Sequence, residues 1–507
     1  MNKNTLLEKL HAIDKECRLL ERTASLLHWD LETYLPSLGV EERSEQLALL
    51  ESLYHERFTS DETGRLLEEL GSVTDNPSGD EKLPDLERDF LNVMRKDYDR
   101  KKKLPLDFVA AEAKAQGLSQ AAWTQARAEN NFAAFLPHLE AMIDFNRKRS
   151  VYWGYEGRVY DGLLDIYEPN MGVSEIASVF TPLRERLSAL LKKIASKPEP
   201  DCSFLLKEEF DKEAQANFSN ELMKYLGFNS QRSRLDVSAH PFTTTLGSHD
   251  VRITTRYLQD NFLSSIFSTI HECGHAFYEL NIPQELRLSC LADGASMGIH
   301  ESQSRFWENV IGRSLPFWEG LMPVLKKSIP KRFDNVKADD FYKAVNLAKP
   351  SLIRVEADEV SYSLHVILRF ELEQGLFSGT INASDLPRLW REKMKEYLGV
   401  VPQTDAEGVL QDVHWSHGSF GYFPSYALGN LYGLQFFKKL KTDIPGFNSL
   451  IANGDFSPIH EWLSNNIHKW GKRLAPCDLL KKVTGEKLSV EPFLSYIEQK
   501  YSGIYGL

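Results

Sequence analysis

Apolar residues recur along most of the chain at spacings of three and four, the period of helices that bury one face. Residues 41–57, EERSEQLALLESLYHER, place Leu47, Leu50 and the Leu53/Tyr54 pair in this register. Residues 175–196 carry a longer stripe of Ile176, Phe180, Leu183, Leu187, Leu190/Leu191 and Ile194, with Pro182 in its first turns. Breaks are few. TDNPSGDEKLPD (74–85) and SKPEPDCS (196–203) read as loops, and neither is long enough to mark an interdomain linker. There is no internal repeat and no low-complexity tract. The pattern predicts a mainly α protein.

One stretch departs from the helical period. RLDVSAHPFTTTLGSHDVRITTRYL (234–258) is rich in Thr, Val and Ile around a central LGSHD turn. Within it Val251, Ile253, Thr255 and Tyr257 alternate with Arg252, Thr254 and Arg256, which predicts a β-hairpin. Such a hairpin is either purely structural or an edge that pairs with an extended peptide.

The next segment returns to helical spacing. Asp260 or Asn261 is placed to cap a helix running to about Leu280, ahead of Pro283. Phe262/Leu263, Ile266/Phe267, Ile270, Phe277 and Leu280 supply its buried stripe. His271 and His275 share another face, because residues four apart lie one above the other. Two imidazoles so placed can grip one ion, with Glu272 beside them as general base. This is the HExxH arrangement. A catalytic zinc takes a third protein ligand and keeps a fourth position for water. GIHESQSRFWENVIG (298–312) reads as a second helix, and its Glu301, 26 residues after His275, leads as third ligand, with His300 as the alternative.

Three further stretches are dense in reactive side chains. SLIRVEADEVSY (351–362) sets Arg354 among Glu356, Asp358 and Glu359. It is either a charged helix face or a guanidinium held by these acids and offered to a carboxylate. GVLQDVHWSHGSFGYFPSYALGN (408–430) reads as a loop presenting His414, His417, Tyr422 and Tyr426, whose ring N–H and O–H groups can donate to a developing oxyanion. His240 precedes Pro241, so its backbone is extended, and it could line the site from the sheet side.

Composition narrows the function. The net charge of −12 over 507 residues argues against a nucleic-acid surface while leaving room for a local basic pocket. No apolar run of about 18 residues appears, so no membrane span is expected. Five scattered cysteines, none in a CxxC pair, point to a reducing compartment. The charged N-terminus lacks a signal-peptide core, and the expected location is the cytoplasm.

Taken in order, HPF (240–242), DVRIT (250–254), HECGH (271–275), HESQ (300–303), IRVEAD (353–358) and GVLQDVHW (408–415) resemble the motifs of the carboxypeptidase Taq family of HExxH metallocarboxypeptidases. LLHWDLETYLP (26–36) is similar to that family's opening helix pair. The resemblance spans most of the chain and implies one metallocarboxypeptidase domain over residues 1–507. In it a helical part, about 1–200, covers a deep cleft, and a catalytic part of about 201–507 holds a small sheet beside the HExxH helix. It further implies a cytosolic homodimer that removes single residues from peptides with a free C-terminus. On the family pattern His271, His275 and Glu301 hold Zn2+, for which Co2+ or Mn2+ could substitute, and Glu272 is the base. Arg354 and Tyr426 meet the terminal carboxylate or the reacting carbonyl. An oligopeptidase of similar helical type is the nearest rival. A non-catalytic peptide-binding protein is the rival from another class, disfavoured by the intact Glu272.

Overall fold

The computed structural model describes residues 2–206 and 209–507. The chain opens on an antiparallel pair, α1 (Lys3–Thr33) and α2 (Val40–Phe58). The helix expected over 41–57 forms, but its stripe is only partly used: Tyr54 and Phe58 are buried, whereas Leu53 is exposed. Further along lie α3 (Val159–Tyr167) and α4 (Val173–Ile194). Every expected stripe residue of α4 is buried. The helix starts two residues earlier than the pattern suggested, so Pro182 sits in its interior, where packing along the stripe outweighs the lost backbone hydrogen bond.

The β region is larger than a hairpin. Strands β1 (Ser233–Val237), β2 (Thr243–Gly247) and β3 (Asp250–Thr255) form one sheet in the order β1-β3-β2. The expected antiparallel hairpin is β2–β3, with Thr243 opposite Ile253 and a register shift between Thr245 and Gly247. β1 adds a parallel partner on the other side of β3, pairing Ser233 with Val251 and Val237 with Thr255. β3 ends at Thr255, before Tyr257. Thr254, on the side shared with Arg252 and Arg256, is buried, and its hydroxyl meets Ser238 Oγ at 2.7 Å and the Phe242 N–H at 2.9 Å. β2 remains an edge strand.

α5 (Phe262–Leu280) follows directly, capped by Asn261, whose side-chain oxygen accepts from the Ser264 N–H. Its apolar residues, apart from the half-buried Leu263, are buried in a core that reaches from Leu6 to Tyr505. α6 (Met297–Arg305) returns beside it. The expected single helix over 298–312 is α-helical only to Arg305 and then widens into a π-helical segment, Phe306–Gly312. Such segments re-aim side chains and are frequent at functional sites. α7 (Tyr362–Ser378) and α8 (Phe423–Asp443) complete the surroundings.

Close helix approach explains two glycines. A Cβ at Gly274 of α5 would lie 2.6 Å from Ser304 Cα, and one at Gly429 of α8 would lie 2.7 Å from Glu301 Cγ. α6 is therefore wedged between α5 and α8 without spare room. Among the described residues, no helix is long and apolar enough to cross a membrane.

Candidate active site

His271 and His275 stand one turn apart on α5, and Glu301 reaches them from α6. Glu301 Oε2 lies 3.6 Å from His271 Nε2 and 3.5 Å from His275 Nε2. One ligand atom from each residue falls within 4.8 Å of the others. Tetrahedral ligands on bonds of 2.0–2.1 Å sit about 3.3 Å apart, so two imidazoles and a carboxylate at this spacing fit a zinc-type ion. The opposite ring atoms are occupied. His271 Nδ1 is 2.9 Å from Glu308 Oε2, in the π-helical segment, so it donates there and leaves Nε2 free to ligate. His275 Nδ1 is 2.6 Å from His300 Nδ1, and His300 Nε2 is 2.7 Å from Glu279 Oε1. A proton on His275 Nδ1 and another on His300 Nε2 satisfy this whole chain and also free His275 Nε2. His300, weighed as the alternative ligand, thus stands behind His275.

Charge in this pocket favours a cation. Burial pushes the Glu301 carboxyl up, but Arg305, His271 and His275 outweigh it and hold it well below the usual range. Arg305 Nε donates to Glu301 Oε1 at 2.7 Å, which turns Oε2 toward the imidazoles. Burial lowers His275 to about 3, keeping the neutral form that a metal needs. Burial also opposes protonation of His271, yet Glu301 and Glu308 carry it above its ordinary value. Glu272 is buried one position round the helix. Burial raises its pKa against the pull of His271 and of Thr243, whose hydroxyl donates to Glu272 Oε2 at 2.6 Å. Thr243 belongs to edge strand β2, so the sheet orients this carboxylate. A cavity of about 360 Å³ opens here, lined by Pro241, Arg256, Phe267, His271, Glu272 and Tyr362 among others.

A second cluster lies behind Tyr362. Arg354 is buried in a short 3₁₀ turn, Arg354–Glu356. Its expected neighbours Glu356, Asp358 and Glu359 do not hold it. Asp412 does, accepting from Arg354 Nε at 3.0 Å and Nη2 at 2.9 Å, while its other oxygen accepts from Arg369 Nε at 2.7 Å. Two guanidinium groups thus share one carboxylate, leaving one positive charge unmatched within the trio. Burial would raise Asp412, but Arg369 and Arg354 hold it far below its ordinary value. Burial, with Arg354 beside it, lowers Arg369 to about 10. Arg354 Nη1 donates to the Tyr362 hydroxyl at 3.2 Å, and the Arg305 guanidinium stands 4.3 Å from the Tyr362 ring centre. Glu301, Arg305, Tyr362, Arg354 and Asp412 therefore form a continuous line between the two clusters.

The expected loop over 408–430 is a loop only in part: His414–His417 is a 3₁₀ turn and α8 begins at Phe423, with Pro424 in its first turn. Tyr426 projects from α8, with the Arg354 guanidinium 4.9 Å from its ring centre and its hydroxyl 3.4 Å from His414 Nε2. Tyr422 packs edge-on to Tyr426, at 5.2 Å. His417 stands apart, half-buried, its carbonyl accepting from Gln116. His240 is exposed beside Pro241 at the rim. Residue patterns gave no role to Asp412, Arg369, Thr243 or Glu308, whose partners lie 29 or more residues away and are set by packing.

Known proteins match both the sequence and this architecture. The family model described as carboxypeptidase Taq (M32) metallopeptidase matches residues 9–501. Carboxypeptidase 1 of Bacillus subtilis is 43% identical over 98% of this chain and 100% of its own length. Thermostable carboxypeptidase 1 of Thermus thermophilus is 40% identical over 98% of this chain and 99% of its own. The crystal structure of an M32 carboxypeptidase from Deinococcus radiodurans superposes with a TM-score of 0.95 at 34% identity, covering 99% of this chain and 100% of that one. The chain belongs to the carboxypeptidase Taq (M32) metallopeptidase family and is a peptide-hydrolysing enzyme.

Proposed function

We propose that this enzyme is a zinc carboxypeptidase that releases single residues from the C-termini of peptides. The observation that carries the reading is a buried Arg354–Asp412–Arg369 trio with one surplus positive charge, set across Tyr362 from a two-histidine, one-glutamate donor set. His271, His275 and Glu301 would hold the ion, and this donor set suits zinc while also accepting cobalt or manganese. When bound, the metal supplies Lewis acidity, making a water more acidic and polarising the scissile carbonyl.

The chain's own groups do the rest. Glu272, buried and raised in pKa, takes the proton from the attacking water and returns it to the leaving amine. Thr243 holds that carboxylate in place from β2. Arg354, oriented by Asp412, receives the terminal carboxylate, so that only the last peptide bond lies over the donor set. Tyr426, with Tyr422 and His414 around it, is placed to donate to the oxyanion. His240 stays at the rim beside Pro241, and His417 is left without a role. Five free cysteines, three of them buried, suit a cytoplasmic enzyme, and the homodimer rests on the family resemblance.

The test is an N-blocked peptide offered to the zinc-loaded protein as free acid and as C-terminal amide, with products read by mass spectrometry. Stepwise loss of C-terminal residues from the acid alone is expected. Internal cleavage of both peptides would move the enzyme to the oligopeptidases.

A further inference from the structure

Glu168 lies outside both clusters. It follows α3, and its side chain is fully buried. Its Oε1 accepts the backbone N–H of Gly298, in the first turn of α6. The hydroxyls of Ser296, Ser425 and Tyr432 surround the same carboxylate, the last two from α8. Gly298 is shaped to it: a Cβ there would sit 2.5 Å from Glu168 Oε1 and 3.0 Å from Tyr432 Cε2. One carboxylate thus ties α3, α6 and α8 together at the point where α6 begins.

We propose that Glu168 is a positioning residue whose buried carboxylate fixes the first turn of α6 against α8 and so sets where Glu301 presents its oxygen to the metal. This rests on the reading of Glu301 as a ligand. Glu301 is three residues beyond Gly298, about 4.5 Å along the helix. A slip at the start of α6 therefore reaches Glu301 within one turn, and metal ligands tolerate displacements of only about 0.2 Å. The cap itself does not require this carboxylate, because Ser296 already accepts the Ile299 N–H. Burying a second, ionisable acceptor at the same helix end costs free energy that a neutral group would not. What it adds is a three-way tie. The neighbouring Tyr167 extends the tie, packing edge-on to Tyr422 at 5.0 Å.

The experiment is a zinc titration against a chromophoric chelator, run on the full chain and on Glu168→Ala, Glu168→Gln and Glu301→Ala, with kcat and KM measured on one peptide. Residues that orient ligands typically contribute about 10–100-fold in metal affinity. Glu168→Ala is expected to lose at least about tenfold, with kcat falling and KM held. Glu168→Gln keeps an acceptor oxygen for Gly298 and should stay within about threefold of the parent. If Glu168→Ala binds zinc like the parent and only melts lower, while Glu301→Ala is weakened, this proposal is overturned and the ligand reading stands. Parent-like zinc binding by Glu301→Ala would remove the ligand reading and this proposal with it. Should Glu168→Ala not fold, Glu168→Asp decides. It withdraws the carboxylate by one methylene, so reduced zinc affinity supports the tie and parent-like affinity overturns it.

Discussion

The two clusters of the site are opposites in charge and in origin. The His271/His275/Glu301 cluster is written into one turn of α5 and met by one residue from α6, and its single carboxylate, held ionised between two imidazoles, suits a cation. The Arg354 cluster is gathered from three segments, with Asp412 58 residues from Arg354 and 43 from Arg369, and its second guanidinium leaves it receptive to an anion. Local helix geometry is enough to pair the two histidines of the first, and the packing of α6 against α5 then adds Glu301. The second exists only after the chain has folded, so its integrity depends on the elements that carry it.

The largest expected effect lies in the first cluster. Glu272→Gln should retain the metal and lose about 10²–10⁴-fold in kcat, the usual contribution of a positioned general base. Metal analysis beside steady-state kinetics checks both halves, and loss of the metal with the activity would show that Glu272 helps build the donor set.

Next comes the tie that holds the second cluster. Asp412→Asn leaves two buried guanidinium groups sharing a neutral amide, and breaking a buried ion pair costs about 3–5 kcal/mol. Denaturant melts should show that loss with zinc affinity unchanged. A parallel fall in zinc affinity would mean that the two clusters are one cooperative unit.

Glu373 offers a pH handle on the same region. It is buried on α7, accepts from Tyr160, Trp415 and the Gly421 N–H, and so anchors the segment that carries His414. Burial raises its pKa to about 7. Unfolded, it gives up its proton near the ordinary value of 4.5, so between 4.5 and about 7 the folded state binds more protons. Its contribution is therefore present below that window and is lost as pH rises through it, by about 3 kcal/mol in all. Glu373→Gln should be less stable than the parent at acid pH, and the gap should narrow as pH rises. Denaturant melts at several pH values measure it, and a gap independent of pH would refute the assignment.

The smallest effect belongs to Gly429→Ala. The added methyl pushes on Glu301 Cγ, and overpacking of this kind costs about 1–3 kcal/mol. Weaker zinc binding with little change in selectivity for a free C-terminus is the expected pattern.

Sequence periodicity and motifs located α5, its cap, the two histidines and Glu301, because helix geometry repeats every few residues. They placed Arg354 in the site but assigned it the wrong acids, since nothing near residue 354 announces Asp412. Strand β1 lay almost wholly inside the stretch read as a hairpin but was not separated from it, because SRLDV is short and its parallel pairing with β3 is a tertiary event. The π-helical segment after Arg305 follows the same rule. Its sequence is helical, and only packing decides that the helix widens there and brings Glu308 to His271.

On the proposed mechanism one cluster cleaves and the other selects. This division is tested most directly by the ratio of kcat/KM for a free-acid peptide to that for its C-terminal amide, measured in the parent and in Arg354→Ala at equal zinc content. A charge-assisted hydrogen-bonded pair contributes about 1.5–3 kcal/mol, so the parent ratio should fall by roughly 10–150-fold in the variant. A ratio unchanged by the substitution would show that Arg354 has no part in recognising the terminal carboxylate.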